Sequence, residues 1–226
     1  MPTRKIQPYH TLLTERRTIG QLYNLKNHFL PQQCHVLAGN QRLQDQISIQ
    51  WADIATLKVD AVVNAAQPTL TPGGGICGAI FAAAGDELEE ECSRFGRGIK
   101  AGQAVLTRGC QLTAPYIIHA VGPNKDVVGE KERASELLSD MYTRIFELCK
   151  ANKIRKIAIP SISSGIYGID PTLCAFEACK SAVFALLDDD LPHLEVIFVL
   201  FDPKIEGKDQ EKESTRAASF FLDALQ

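Results

Sequence analysis

An α/β fold, with one central sheet covered by helices on both faces, is what the residues from Ile47 onward predict. Three observations carry that expectation. Short runs rich in β-branched side chains recur through the stretch. Longer segments with apolar residues at helical spacing alternate with them. Two glycine-containing loops each fall directly between a run of the first kind and a segment of the second. The candidate strands are residues 47–51, 61–65, 103–107, 116–121, 156–160 and 196–201, assigned on their β-branched content. The candidate helices are residues 76–84, 86–94, 134–151, 172–187 and 212–225, with charged loops over 122–133 and 203–213. No internal repeat or low-complexity tract interrupts the alternation.

Composition bounds the rest. A chain of 226 residues is long enough to bury one full core, and its 45% hydrophobic and 23% charged content excludes a disordered, collagenous or disulfide-miniprotein class. A formal net charge of −3 gives no whole-chain attraction to nucleic acid or to an anionic membrane, so a bound anion has to be captured locally. The seven cysteines are odd in number and scattered without a CxxC pair, which fits reduced thiols and a cytoplasmic setting; a nuclear location or transfer to another cell fits the same composition. No apolar run approaches the roughly 18 to 20 residues of a membrane span, and residues 1–10 contain no apolar core of a signal peptide. Neither a membrane partner nor export by that route is expected, and a monomer is.

Before Ile47 the character differs. Arg4, Lys5, Arg16, Arg17, Lys26 and Arg42 stand against Glu15 and Asp45, and Leu12, Ile19, Leu22, Tyr23, Phe29 and Leu30 recur near a spacing of 3.6. This predicts an N-terminal helical extension over residues 1–46, with a helix of about five turns that ends at Pro31. Its positive charge reads either as a solvated helix face or as a contact for a protein or nucleic-acid partner; the solvated face is the simpler reading.

The chemistry concentrates in the two loops. In VDAVVNAAQPTLTPGGGICGAIFAAAG, a strand runs into a loop, and Gly73, Gly74 and Gly75 lead directly into a helix. That arrangement aims free backbone N–H groups and the positive end of a helix dipole at an anion, and glycine lets the backbone approach a phosphate closely. No Gly-Lys-Ser/Thr follows, and no dinucleotide GxGxxG is present. Alone, such a turn reads equally well as a tight connection without a ligand. The second loop, IPSISSGIYGIDP, also follows a strand and precedes a helix, with Ser163, Ser164, Gly165 and Gly168 between them. Two such loops at the carboxyl edge of one sheet can hold a diphosphate by backbone donors, which accounts for the absence of lysine from both.

These segments, together with Ala52-Asp53-Ile54, YIIHAVGP and VIFVLFD, resemble a macrodomain in order and register over about residues 47 to 202. The resemblance implies a three-layer α/β/α domain over residues 47–226 with a mixed central sheet. It implies that ADP-ribose, free or carried on a protein, is the ligand. Asp53 would accept from the adenine amino group, Ile54 would offer its N–H to the same ring, and Phe201 would lie against the adenine face. Asn64 would bind hydroxyls of the distal ribose. Gly73, Gly74, Gly75 and Ile76, with Ser163, Ser164, Gly165, Ile166 and Tyr167, would surround the diphosphate. The plainer readings are a turn carboxylate for Asp53, core packing for Phe201 and a satisfied structural histidine for His119.

Catalytically active members often read Asn-Ala-Ala-Asn, and many carry an aspartate two positions after the last loop glycine. This chain has Gln67 at the second asparagine, Cys77 at the aspartate and Pro72 in place of a glycine. The implied reaction removes one ADP-ribosyl group from an acidic side chain, or from a small acyl ester, by water attack at the anomeric carbon, with Asn64 and Gln67 positioning the ribose and Cys77 shaping the floor. A non-catalytic reader of ADP-ribose is the alternative, and poly(ADP-ribose) or RNA binding through the basic extension a third. Cys77 as a nucleophile would need a base that the sequence does not place beside it. No cofactor is called for. No metal is expected either: Cys34 and His35 with His28 lack a ligand set, and the glycine loop lacks the Cys/His-rich insertion of zinc-dependent members. Asp86, Glu87, Glu89, Glu90 and Glu91 read as a solvated helix face.

Overall fold

A computed structural model describes residues 17–18, 40–96, 98–187 and 191–200. In chain order the elements are β1 (Arg17–Thr18), α1 (Gln41–Gln46), β2 (Ile47–Trp51), a 3-10 turn (Ile54–Thr56), β3 (Ala61–Ala65), α2 (Gly75–Ala84) and α3 (Glu87–Ser93). They continue with β4 (Gln103–Arg108), β5 (Tyr116–Val121), α4 (Lys125–Val128), α5 (Lys131–Ala151), β6 (Lys156–Pro160), α6 (Pro171–Leu187) and β7 (Glu195–Leu200).

The strands form one seven-stranded sheet in the order β1-β2-β7-β6-β3-β5-β4. From β2 to β5 every neighbour is parallel, while β1 and β4 pair antiparallel at the two edges. Alternation along each strand divides the core. Val196, Phe198 and Leu200 of β7 face one cluster, and Ile197 and Val199 face the other. The first cluster lies under α5 and α6, where Leu138, Met141, Tyr142, Ile145 and Cys149 form a stripe at helical spacing. The second lies under α2 and α3, through Ile80, Phe81, Ala84, Leu88 and Cys92. The sheet is therefore sandwiched between helices, as its nearly continuous apolar parallel strands require. Among the described residues no helix is long and apolar enough to cross a membrane.

Several sequence expectations change here. The long N-terminal helix does not run unbroken, because β1 falls within its span and pairs with Ile49 and Ser48 of β2; the rest of that span lies outside the described residues. The six residues of α1 abut β2 directly. Asn40 caps this helix by accepting from Leu43 N at 3.2 Å, and Leu43 is buried in the first core cluster. Gln46 Nε2 donates to the carbonyls of Pro192 and Leu194, both at 3.0 Å, so this segment is tied to the main body. The charged loop over 122–133 contains the short α4, capped by Asn124, and the start of α5. The last strand spans Glu195–Leu200, and the expected helix over 212–225 lies outside the described residues.

Glu91 is not part of a solvated face. Its side chain is 6% exposed and pairs with Arg94 at 2.9 Å, at the end of its own helix, and with Arg108 at 2.8 Å, which joins α3 to the edge strand β4. The hydrogen bond from Arg108 holds its carboxyl below the ordinary range. Asp86, Glu87, Glu89 and Glu90 are exposed as expected.

Candidate functional site

β3 and β6 are neighbours in the sheet, and the loops that follow them meet over its carboxyl edge. Between them lies a cavity of about 450 Å³. From the first loop and the start of α2 it is lined by Ala65, Ala66, Gln67, Gly73, Gly74, Gly75, Ile76 and Cys77, and from the second by Ser161, Ile162, Ser163, Gly165, Ile166 and Tyr167. Gly122, the residue after β5, completes the wall. No lining side chain is acidic, basic or a histidine.

The first loop is shaped by its glycines. Gly75 opens α2 at φ 58, a conformation that side chains resist, and the N-cap position at Gly74 makes no side-chain capping bond. A Cβ on Gly78 would stand 2.4 Å from the carbonyl oxygen of Gly73, so the loop lies folded directly on the first turn of the helix. In the second loop Ser163 sits at φ 68, and its carbonyl accepts from Ile169 N at 3.0 Å. Gly168 N donates to Gly165 O at 2.9 Å. Among the described residues no hydrogen bond takes up the N–H groups of Gly74, Gly75, Gly165 or Ile166. The cavity thus borders two sets of main-chain donors with no competing cation.

The loops also approach each other. Ile166 Cδ1 reaches within 3.4 Å of where a Cβ on Gly74 would stand, although Ile166 is 84% exposed. The second loop is braced from outside, where Lys125 N donates to Tyr167 O at 3.0 Å. Burial, with a smaller contribution from Cys77, pushes the Tyr167 phenol up.

Cys77 forms part of the floor. Asn64 Nδ2 lies 3.7 Å from its sulfur, and the N–H groups of Gly73 and Gln67 also point to it. Burial outweighs these donors and leaves the thiol above its ordinary value, so it is protonated near neutral pH, as suits a lining group and not a nucleophile. Asn64 lies one layer further back and is fully buried. Its Nδ2 is 3.1 Å from His119 Nδ1, its register partner on β5. An amide nitrogen can only donate, so Nδ1 accepts and the proton sits on Nε2, which faces Thr107 Oγ1 at 2.9 Å. Burial pushes the His119 ring down to about 4 and keeps it neutral. It is the satisfied structural histidine of the simpler expectation. Beside the cavity, two buried oxygens, Asn64 Oδ1 and Ser163 Oγ, have no hydrogen-bond partner among the described residues.

Gln67 lines the cavity, but its Nε2 donates to Thr71 and Pro72 of its own loop. Ser164 is not among the lining residues, and its hydroxyl pairs with Ser161 Oγ at 2.6 Å. Asp53 and Ile54 do not line the cavity either. Asp53 Oδ1 caps the 3-10 turn by accepting from Ala55 N at 3.0 Å, and Ile54 is buried in the second core cluster. Phe201, Cys34, His35 and His28 lie outside the described residues. Among the described residues no three His, Cys, Asp or Glu side chains are grouped to hold a metal. Ala65, Ala66, Gly122, Ser161 and Ile162 line the cavity without having been expected as site residues; the signal for Gly122 is its place directly after the β5 run, at the same edge as both loops.

Known proteins share this sequence and fold. The family model for the Macro domain matches residues 63–177. A macro domain-containing protein of Mesorhizobium japonicum is 42% identical over 158 residues, 70% of this chain and 88% of that protein. A Citrobacter rodentium protein named O-acetyl-ADP-ribose deacetylase is 37% identical over 163 residues, 71% of this chain and 90% of that protein. The Trypanosoma brucei macrodomain in complex with ADP-ribose superposes with a TM-score of 0.69 at 27% identity, covering 83% of this chain and 72% of that one. With the paired loops, the mixed sheet and these likenesses in agreement, the chain belongs to the macro domain family.

Proposed function

We propose that the cavity binds ADP-ribose, with the diphosphate against the two loops, and that the domain releases ADP-ribosyl groups from carboxylate esters. The observation that carries the binding is the pair of uncommitted main-chain donor sets, at Gly74 and Gly75 and at Gly165 and Ile166, on one cation-free cavity. Support for the ligand comes from the Trypanosoma brucei complex, and for the ester class from the name of the Citrobacter rodentium relative. Cys77 marks the distal-ribose end, with Asn64 acting at one remove through its sulfur. The adenine end lies toward Asp53.

In the reaction, a water oxygen forms the new bond to the anomeric carbon while the bond from that carbon to the ester oxygen breaks. The leaving group departs as a carboxylate, and the water proton passes to solvent by way of a ligand phosphate oxygen. No lining side chain is a carboxylate or a histidine, so the protein contributes placement and main-chain dipoles. The test is incubation with a glutamate-ADP-ribosylated protein, using Gly165→Glu as the control; release by the wild type alone is expected. The same lack of an acid or base in the wall favours a reader as the second reading. Binding of ADP-ribose without release above the control would establish the reader instead.

A further inference from the structure

We propose that Gln67 is a positioning residue that clasps the glycine loop, fixing the diphosphate side of the cavity and leaving none of its amide hydrogens for the distal ribose. The inference rests on the ADP-ribose reading above. Gln67 Nε2 lies 3.0 Å from Thr71 O, 2.7 Å from Thr71 Oγ1 and 3.2 Å from Pro72 O. Two of these partners are carbonyl oxygens, which only accept, so the nitrogen and not the oxygen of the amide must face them. Its two hydrogens are then both engaged by the loop.

The same turn is closed by the backbone. Leu70 N donates to Gln67 O at 3.0 Å, with Leu70 held at φ 54 and its side chain 2% exposed in the core. Thr71 Oγ1 is braced in turn by Thr69 Oγ1 at 2.9 Å. Side chain and main chain thus close residues 67–72 into a ring, and Gly73 is the first residue beyond it. From there the loop has little freedom, because Gly73 O packs on Gly78 and the Gly73 N–H points to Cys77. An asparagine at this position would be shorter by one methylene, about 1.5 Å, and would not span the ring. The longer arm therefore gives the loop a fixed shape before ligand arrives, which lowers the ordering cost of binding.

The test is calorimetric titration of the full chain with ADP-ribose, ADP and AMP, comparing wild type, Gln67→Met and Thr71→Val. Methionine keeps the length of glutamine without a donor. With the clasp lost, Gln67→Met weakens ADP-ribose and ADP by the same factor, about five- to tenfold for two donated hydrogen bonds. AMP, which lacks the second phosphate and the distal ribose, changes by less than about twofold. Thr71→Val shows the same pattern at smaller size. Weakening of ADP-ribose without ADP would mean that Gln67 reads the ribose directly, and would overturn the clasp. Equal weakening of all three ligands, or of none, overturns it as well. A wild type that binds none of the three would instead overturn the ADP-ribose reading.

Discussion

Asn64 Nδ2 stands 3.1 Å from Nδ1 of His119, directly opposite it in the parallel register of β3 and β5. A buried amide in a central strand thereby has its orientation set by a neutral imidazole, and through Asn64 the same ring supports the Cys77 sulfur at the cavity floor.

This pair predicts a pH dependence. The unfolded ring, at its ordinary value of 6.5, takes up a proton where the folded ring, held near 4 by burial, does not. The contribution to stability is full above about pH 6.5, falls as pH drops from 6.5 towards 4, and levels off below that, a span on the order of 3 kcal/mol. Urea unfolding of wild type and His119→Gln at several pH values checks it. The variant is less stable at pH 7.5, and the difference narrows towards pH 4.

Gly78→Ala separates folding from binding. Alanine favours the interior of α2 by up to about 1 kcal/mol over glycine. Its Cβ would stand 2.4 Å from Gly73 O, however, and the glycine loop must move away from the helix start. We expect a melting temperature within a few degrees of wild type and a loss of ADP-ribose affinity of about tenfold or more, for roughly 1.4 kcal/mol of misplaced contacts. Unchanged affinity in calorimetry would show that the loop can shift at no expense to the site.

Ser163→Ala should act in the opposite sense on the two quantities. The Ser163 hydroxyl is buried without a partner among the described residues, a state that typically costs about 1–3 kcal/mol, so its removal leaves the free protein as stable or more so. If that oxygen meets the ligand, ADP-ribose binding weakens by about tenfold in the same variant. Thermal unfolding with and without ligand measures both effects in one experiment.

Glu91→Gln is expected to lower the melting temperature by a few degrees, because the pair to Arg108 joins α3 to the edge strand β4. Arg108 holds this carboxyl below its ordinary value of 4.5, so the stabilisation is present above that value and is lost as pH falls through the lowered one. The difference between wild type and variant should therefore disappear in acid. ADP-ribose affinity is the control, since Glu91 is not a cavity-lining residue.

The central strands were legible because parallel strands buried on both faces write themselves as short β-branched runs; β2, β3, β5 and β6 have the bounds their sequences indicate. Helix α1 was not legible, since QRLQDQ offers a single apolar residue, Leu43, and no periodicity. Nor was β1, a two-residue edge pairing decided by its partner β2 and not by its own propensity. Glu91 did carry a signal. It falls on the stripe of Leu88 and Cys92, at the spacing that places a residue on the buried face, while its acidic neighbours suggested the opposite. At the site, composition revealed both loops, but the ring closed by Gln67 depends on a turn with Leu70 in a left-handed conformation, which no local pattern announced. Strand order is likewise a long-range property, so the adjacency of β3 and β6 became visible only in the fold.

That adjacency bears on synthesis. The cavity joins Ala65 to Tyr167 across strands from distant parts of the chain, so a nascent polypeptide emerging from the ribosome carries its glycine-rich half long before the opposing wall exists. On the ADP-ribose reading, capture of the ligand waits until translation has passed Gly168 and β6 has docked beside β3, and truncated products that end before the second loop leave ADP-ribose untouched.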